Sequence, residues 1–326
     1  MITPTVQEPL STELAAQETG LKLFAIIVLY KMRPAESPSL RTLIQARDAA
    51  KPCCETTIFI ADNTPGGQSE VDVPDGIFYE AFPGNPGLAP PYNRAILDAE
   101  RGGCRWILTL DQDTCLPIDF LTSMIRYVRL YRDDDRVAGF VPCIIDNGAT
   151  ISPFRFLCGS FPRTIRRGTI GIAKAHTSAL NSASLLRISA LQQVGGYDER
   201  FPLNNSDTAV FARLDRARKR LFVAGDIIVN HELAILRRER RMTPERYRQL
   251  LIDEFDFWNS YMPLPARIER IFRLLGRLVR GYLTAEDARF RDATRDEIRL
   301  RLSSLRLLSK RNGGVMAASV KRNLSD

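Results

Sequence analysis

The stretch WILTLDQDT, Trp106 to Thr114, runs five mostly apolar residues straight into two aspartates separated by one glutamine. Trp-Ile-Leu-Thr-Leu reads as a buried strand that stops where the carboxylates begin. Side chains alternate along a strand, so an extended backbone predicts Asp111 and Asp113 on one side and Gln112 on the other. Two carboxylates a few ångströms apart repel unless a proton or a cation sits between them. Hard oxygen ligands suit Mg²⁺ or Mn²⁺. A strand-end Asp-x-Asp is therefore suited to clamp a metal-bound diphosphate, and equally to form a turn whose acids cap the following helix.

Working outward, the same strand texture recurs. LFAIIVLY (23–30), TTIFIADN (56–63), GIFYEAF (76–82) and VAGFVPCIID (137–146) are short apolar or β-branched runs. Helical segments stand between them: SLRTLIQARDAA (39–50), PYNRAILDAERGG (91–103) and DFLTSMIRYVRLY (119–131). Such alternation predicts an α/β fold with a mostly parallel sheet covered by helices on both faces. Ligands then bind beyond the carboxyl ends of the strands, at Tyr30, Asp62, Phe82 and Asp111. Past residue 147 the pattern loosens, and FRFLCGSFPRTIRRG (154–168) fits a hairpin or a basic loop. NSDTAVFARLDRARK (205–219) reads as a helix opened by a Ser or Asp cap, and RLFVAGDIIVNHE (220–232) as a last pair of strands.

Composition narrows the class. The chain has 326 residues, 44% apolar and 26% charged, enough for a substantial core. Its longest apolar run, LKLFAIIVLY, is about half the ~18–20 residues of a membrane span. The first twenty residues are polar, with no basic start and no apolar core, so no secretory signal is expected. Six cysteines (53, 54, 104, 115, 143, 158) show no CxxC spacing, which predicts reduced thiols in a cytoplasmic protein. The net charge of +8 is uneven: residues 235–326 hold 21 Lys and Arg against 12 Asp and Glu. Positive charge on one tail, without a recognised motif or interleaved aromatics, argues against nucleic acid as the partner.

FPGNPGLAPPYNRAI (82–96), WILTLDQDT, VGGYDERF and VNHE, in this order, resemble a family-2 glycosyltransferase of the GT-A fold, particularly its rhamnosyltransferase-like branch. The resemblance spans roughly residues 22–235. It implies a catalytic GT-A domain over 22–235, preceded by a polar segment (1–21) and followed by a basic amphipathic helical region (236–326). It also implies a nucleoside-diphosphate sugar as donor, a divalent metal, and a glycan or lipid-linked acceptor, with rhamnose from dTDP-rhamnose as the leading donor.

Residue by residue, the resemblance places Tyr30 at the end of the strand that meets the nucleotide base, and Asp62 with Asn63 beside it on the second strand. Asn85, Gly87 and Asn93 match the segment around nucleotide and sugar, and 181–187 the donor and acceptor pocket. Asp111 and Asp113 match the DxD motif, with His231 completing the metal site. Asp207, six residues before Arg213, stands as the general base. Asn204 and Ala209 depart from the pattern, where relatives often carry acids. Plainer readings stand beside these: Asp207 as a first-turn acid favoured by the helix dipole, and His231 as a core histidine. His176 reads as structural. An inactive scaffold and a nucleotidyltransferase remain rival readings.

In the tail, Ile268, Ile271, Phe272, Leu275, Leu278, Val279 and Tyr282 recur at helical spacing, flanked by five arginines. A basic amphipathic helix over 267–283 suits either an anionic membrane surface, here the inner face, or packing on the protein itself. RFRDATRDEIRLRLSSLRLLSKR (289–311) reads as a second, mixed-charge helix.

Overall fold

The computed structural model describes residues 20–69, 71–157, 161–231, 242–284 and 287–311, with side chains to Leu305. The chain divides into two compact units, one of residues 1–155 and 164–232, the other of 156–163 and 233–326.

The first unit begins β1 (Leu21–Leu29), α1 (Pro38–Ala50), β2 (Cys54–Asp62), β3 (Ile77–Ala81), α2 (Ala89–Arg101) and β4 (Trp106–Asp111). It continues β5 (Thr114–Cys115), α3 (Phe120–Tyr131), β6 (Val137–Asp146) and β7 (Ala149–Ser152); β8 (Phe154–Leu157) and β9 (Phe161–Thr164) come next in the chain, with residues 156–163 of them counted in the second unit. Then follow β10 (Ile170–Ile172), β11 (Thr177–Ser178), β12 (Ser184–Arg187), α4 (Ile188–Gln193), α5 (Ser206–Arg216) and β13 (Arg220–His231). The main sheet has the order β10-β13-β6-β12-β4-β1-β2-β3, with β5 on β13 and β7 on β6. The β4-β1-β2-β3 half is parallel throughout, as is β13 on β6, while β12 runs antiparallel between β4 and β6.

Alternation along β1 explains the two covered faces. Leu23, Ala25, Ile27 and Leu29 pack with Leu40 and Leu43 of α1 and Phe120 and Met124 of α3. Phe24, Ile26 and Val28 pack on the opposite face with Tyr92 and Ile96 of α2 and Phe211 of α5. A strand buried on both sides has no polar positions to mark its period, hence the continuous apolar run in the sequence.

Two expectations change. Residues 220–231 form one strand rather than two: β13 pairs with β6 on either side of a bulge between Ala224 and Ile228. Gly225 sits in that bulge, where a Cβ would lie 2.4 Å from the Thr169 carbonyl oxygen, so the Gly-Asp pair marks a close backbone approach and not a turn. Helix α5 has no Ser or Asp side-chain cap; Asn205 precedes it in the left-handed region (φ 61°). Of the two readings of 154–168, the hairpin is the one that agrees with the structure: β8 and β9 are neighbours in a three-stranded sheet with β11; Cys158 lies outside the described residues.

The second unit holds α6 (Pro244–Tyr261), α7 (Leu264–Leu283) and α8 (Ala288–Arg311) around a small core of Tyr247, Leu251, Ile271, Leu274, Ala293 and Ile298. Glu297 and Arg301 form an ion pair (2.8 Å) that is 5% exposed on each side. Among the described residues, no helix is long and apolar enough to cross a membrane.

Candidate active site at the carboxyl edge of the sheet

Strand β4 ends at Asp111, and Gln112 and Asp113 form a turn before β5. Strand alternation therefore does not set the directions of these side chains; the turn does. It is held from below by hydroxyls. Ser37 donates to the Gln112 carbonyl (2.7 Å), and Ser39 accepts the Thr114 N–H (2.8 Å) while lying within reach of the Asp111 and Thr114 carbonyls. Ser182 accepts the Asp111 N–H (3.2 Å) and contacts the Thr114 hydroxyl. Gln112 does not simply point away, since its side-chain amide oxygen accepts the Tyr30 N–H (2.8 Å) and ties the β1 end to the turn.

His231, at the end of β13, reaches this turn because Asn230 and His231 pair with Cys115 and Thr114. Its Nδ1 lies 2.9 Å from the Thr114 hydroxyl and 3.6 Å from Asp113 Oδ1. Nε2 lies 3.8 Å from Asp111 Oδ2, beyond hydrogen-bond range. The imidazole is almost fully buried, while about a third of each aspartate side chain reaches solvent. Burial, opposed by the pull of His231 and helped by the Asp113 and Asp207 carboxylates, pushes Asp111 up to about 6.

Two carboxylates and an imidazole oriented through its second nitrogen are a donor set that fits a hard divalent cation. Among the described residues no three acidic, His or Cys side chains already close around one point. Asp111, Asp113 and His231 thus form a rim of the right chemistry and not a closed cage.

Asp207 opens α5 and accepts the Thr208 N–H (2.6 Å) and hydroxyl (3.2 Å). Burial raises its pKa, and the Thr208 bonds offset this only in part. It acts electrostatically on Asp111, and both act on the buried Tyr92 and Tyr197. Those two rings stack at 4.7 Å. Tyr197 donates to Asn181 Oδ1 (3.1 Å), whereas the Tyr92 hydroxyl has no hydrogen-bond partner despite full burial. The segment 181–184 thus supports both the turn and this pair. Arg187, at the end of β12, points elsewhere and donates to carbonyls of Tyr131, Arg132, Asp134 and Val137, from the end of α3 to the start of β6. Arg213 donates to the Gly196 carbonyl (3.0 Å), a structural task.

The remaining predicted residues line the same edge, several of them engaged with the protein itself. Tyr30 is exposed at the end of β1. Nearby, Arg33, Pro34, Ala35, Val71 and Asp72 line a concavity of about 550 Å³. The Asp62 carboxylate is wholly buried and accepts from the Thr64 N–H (2.9 Å), Gln68 Nε2 (2.8 Å) and Tyr79 hydroxyl (2.7 Å). Burial penalises its charge, but these bonds outweigh that and hold its pKa below the ordinary carboxylate range. Asn63 donates to the Gly87 carbonyl (2.7 Å), and its own side-chain oxygen is buried without a partner. A Cβ on Gly87 would lie 2.2 Å from the Pro202 carbonyl oxygen, so only glycine fits there. Asn85 is an exposed turn residue (φ 46°). Asn93 clamps the Gly-Gly-Tyr turn, accepting the Tyr197 N–H (2.7 Å) and donating to its carbonyl (3.0 Å). His176 is held by Asp215, which takes its backbone N–H and lies 3.1 Å from its ring; Arg220 binds the same carboxylate.

The structure thus brings Asp111, Asp113 and His231 together, with Asp207 in electrostatic range. Sequence reasoning missed Ser37, Ser39, Thr114 and Tyr92. Ser37 carried a signal as a cap before Pro38, but its bond to residue 112 spans 75 positions and left none.

No family model matches the chain, and no curated protein does. Among solved structures it is similar to S. aureus TarS (12% identity, TM-score 0.48), covering 73% of this chain and 40% of that one. A crystal structure of TarS 1–349 in complex with UDP is 13% identical over 92% of this chain and 94% of that one, with TM-score 0.48. GalNAc-T7, crystallised with UDP, GalNAc and Mn²⁺, is 12% identical over 78% of this chain and 52% of that one, with TM-score 0.49.

Proposed function

We propose that the chain is an inverting glycosyltransferase that moves a sugar from a nucleoside-diphosphate donor to a glycan or lipid-linked acceptor. The observation that carries this reading is the meeting of Asp111, Asp113 and His231 at the carboxyl edge of the sheet, with Asp207 in range. Glycosyl transfer passes through an oxocarbenium-like state in which negative charge grows on the departing diphosphate. A divalent ion bound at this rim would supply the countercharge. Asp113, Asp111 and the His231 Nε2 would hold it, and the Thr114 hydroxyl fixes the ring for that purpose.

Asp207 takes the proton of the acceptor hydroxyl. Its raised pKa suits a base, and general-base catalysis is typically worth ~10²–10⁴-fold. One base without a nucleophilic carboxylate partner implies a single displacement and inversion at the anomeric carbon. Tyr30 and the concavity at Arg33 and Asp72 receive the nucleoside. Asp62 serves by tying the Gln68 loop to Tyr79 of β3, its own oxygens being engaged. Rhamnose on dTDP is the finer reading of the donor.

The test is thermal stability with dTDP, UDP or GDP, each with Mg²⁺, Mn²⁺ or EDTA. A ligand at ~100 times its dissociation constant adds about 2.7 kcal/mol. One diphosphate is expected to stabilise only with metal, and Asp113→Asn to remove the effect. Stabilisation by none of them defeats the reading. With the donor so named, NMR of the product is expected to show inverted configuration; retention would remove the single-displacement step.

A further inference from the structure

Helix α2 carries a hydroxyl into the core with nothing to bond. Tyr92 lies in its first turn, fully buried, in the same cluster as Phe24, Ile26 and Val28 of β1. Its ring stacks on Tyr197, whose own hydroxyl donates to Asn181, but the Tyr92 hydroxyl has no partner among the described residues. A tyrosine hydroxyl carries its proton at neutral pH, and a buried one left unmatched costs the fold its lost hydration. Phenylalanine would fill the same space without that cost, so the hydroxyl has its use in another state of the protein.

Asp111 is the complementary case. Its carboxylate accepts no hydrogen bond among the described residues, His231 Nε2 standing 3.8 Å away. As the last residue of β4, Asp111 is still paired with Val28 of β1 and keeps the phase of the strand. Its side chain therefore lies on the α2 side of the sheet, where Val28 and Tyr92 pack. A second link runs through the support of the turn. Asn181 takes the Tyr197 hydroxyl, and the next residue, Ser182, takes the Asp111 N–H. Of the carboxylates acting on Tyr92, Asp111 is the strongest, ahead of Asp207.

We propose that Tyr92 is a positioning residue of the metal rim: its hydroxyl donates to Asp111 when that carboxylate holds a divalent cation. The inference rests on the reading of Asp111, Asp113 and His231 as that rim. Carboxylates that ligate a metal are hydrogen-bonded in turn, which fixes the oxygen that faces the ion. One Asp111 oxygen then serves the cation, and the other accepts the buried hydroxyl. Two unmatched groups complete each other in the loaded site, and the gain appears as metal affinity.

The experiment titrates Mn²⁺ alone into the full chain, with free Mn²⁺ read by electron paramagnetic resonance, and measures the melting temperature in EDTA. Wild type is expected to bind Mn²⁺, and Asp113→Asn to lose it. Tyr92→Phe is expected to weaken binding about tenfold or more, with a melting temperature in EDTA equal to that of wild type or higher. A tyrosine that only builds the core would give the opposite pair: intact affinity in a protein that melts earlier. Equal affinity in Tyr92→Phe and wild type overturns the inference and leaves the rim standing. A lower melting temperature of Tyr92→Phe in EDTA also overturns it, since the hydroxyl would then be bonded without metal. Wild-type binding that is absent, or indifferent to Asp113→Asn, overturns the inference together with the rim on which it rests.

Discussion

Asp111 is held in the folded site at a cost to its charged form. Its pKa stands near 6 where an unfolded aspartate has about 4, so the native state holds its proton more tightly than the unfolded chain does. The stability it contributes is complete below pH ~4 and is lost as pH rises through 6. Asp111→Asn, measured in EDTA, should therefore raise the melting temperature at pH 8, with the gain shrinking toward zero at pH 4. With a third of the side chain in solvent, screening reduces the effect to about 1 kcal/mol, or about 2–4 °C. A variant that melts earlier than wild type at pH 8 would show that Asp111 is not held at a cost. The chemistry of this aspartate was legible from its type and its place at a strand end. Its direction was not, because Gln112 and Asp113 leave the strand and the pleat no longer dictates where they point.

At the scale of elements, the turn 111–114 matters more than the strand that delivers it. Ser39 satisfies the buried Thr114 N–H and touches two carbonyls, so Ser39→Ala leaves backbone groups unmatched at a cost of about 1–3 kcal/mol. Urea unfolding should show that loss, and metal–diphosphate stabilisation should weaken with it. An unchanged urea midpoint would mean the turn stands without its serine. The β1–β4 half of the sheet was readable because strands buried on both faces announce themselves as apolar runs. Helix α5 was misread at its start and strand β13 in its middle for a shared reason: Asn205 and Gly225 carry turn-forming residue types. What those residues do depends on backbone packed against them from far along the chain.

At the scale of the whole molecule, the two units differ in how much apolar surface each encloses. Strands β1, β2 and β4 lie between two extensive clusters, whereas α6–α8 share the small cluster of Tyr247, Leu251, Ile271, Leu274, Ala293 and Ile298 and the Glu297–Arg301 pair. Hydrogen exchange should accordingly be slowest in β1 and β4 and faster by orders of magnitude in α6–α8. Equal protection in both would mean that they open as one. The α/β plan and the change of character near residue 235 were visible in the sequence, while the strand order, with β12 reversed among parallel neighbours, was not, since pairing direction leaves no local trace. One consequence follows from the bulge in β13. Before it Phe222 and Ala224 face the α1–α3 side, and after it Ile227 and Val229 do, so even positions hand over to odd ones. His231 inherits that odd phase. Across Gly225–Ile227, the chain therefore tolerates gain or loss of residues only in pairs. A single inserted or deleted residue would leave the hydrophobic pattern of the first half intact and turn the histidine to the wrong side of the sheet. Descent with indels here should be arithmetically constrained in a way that substitution is not.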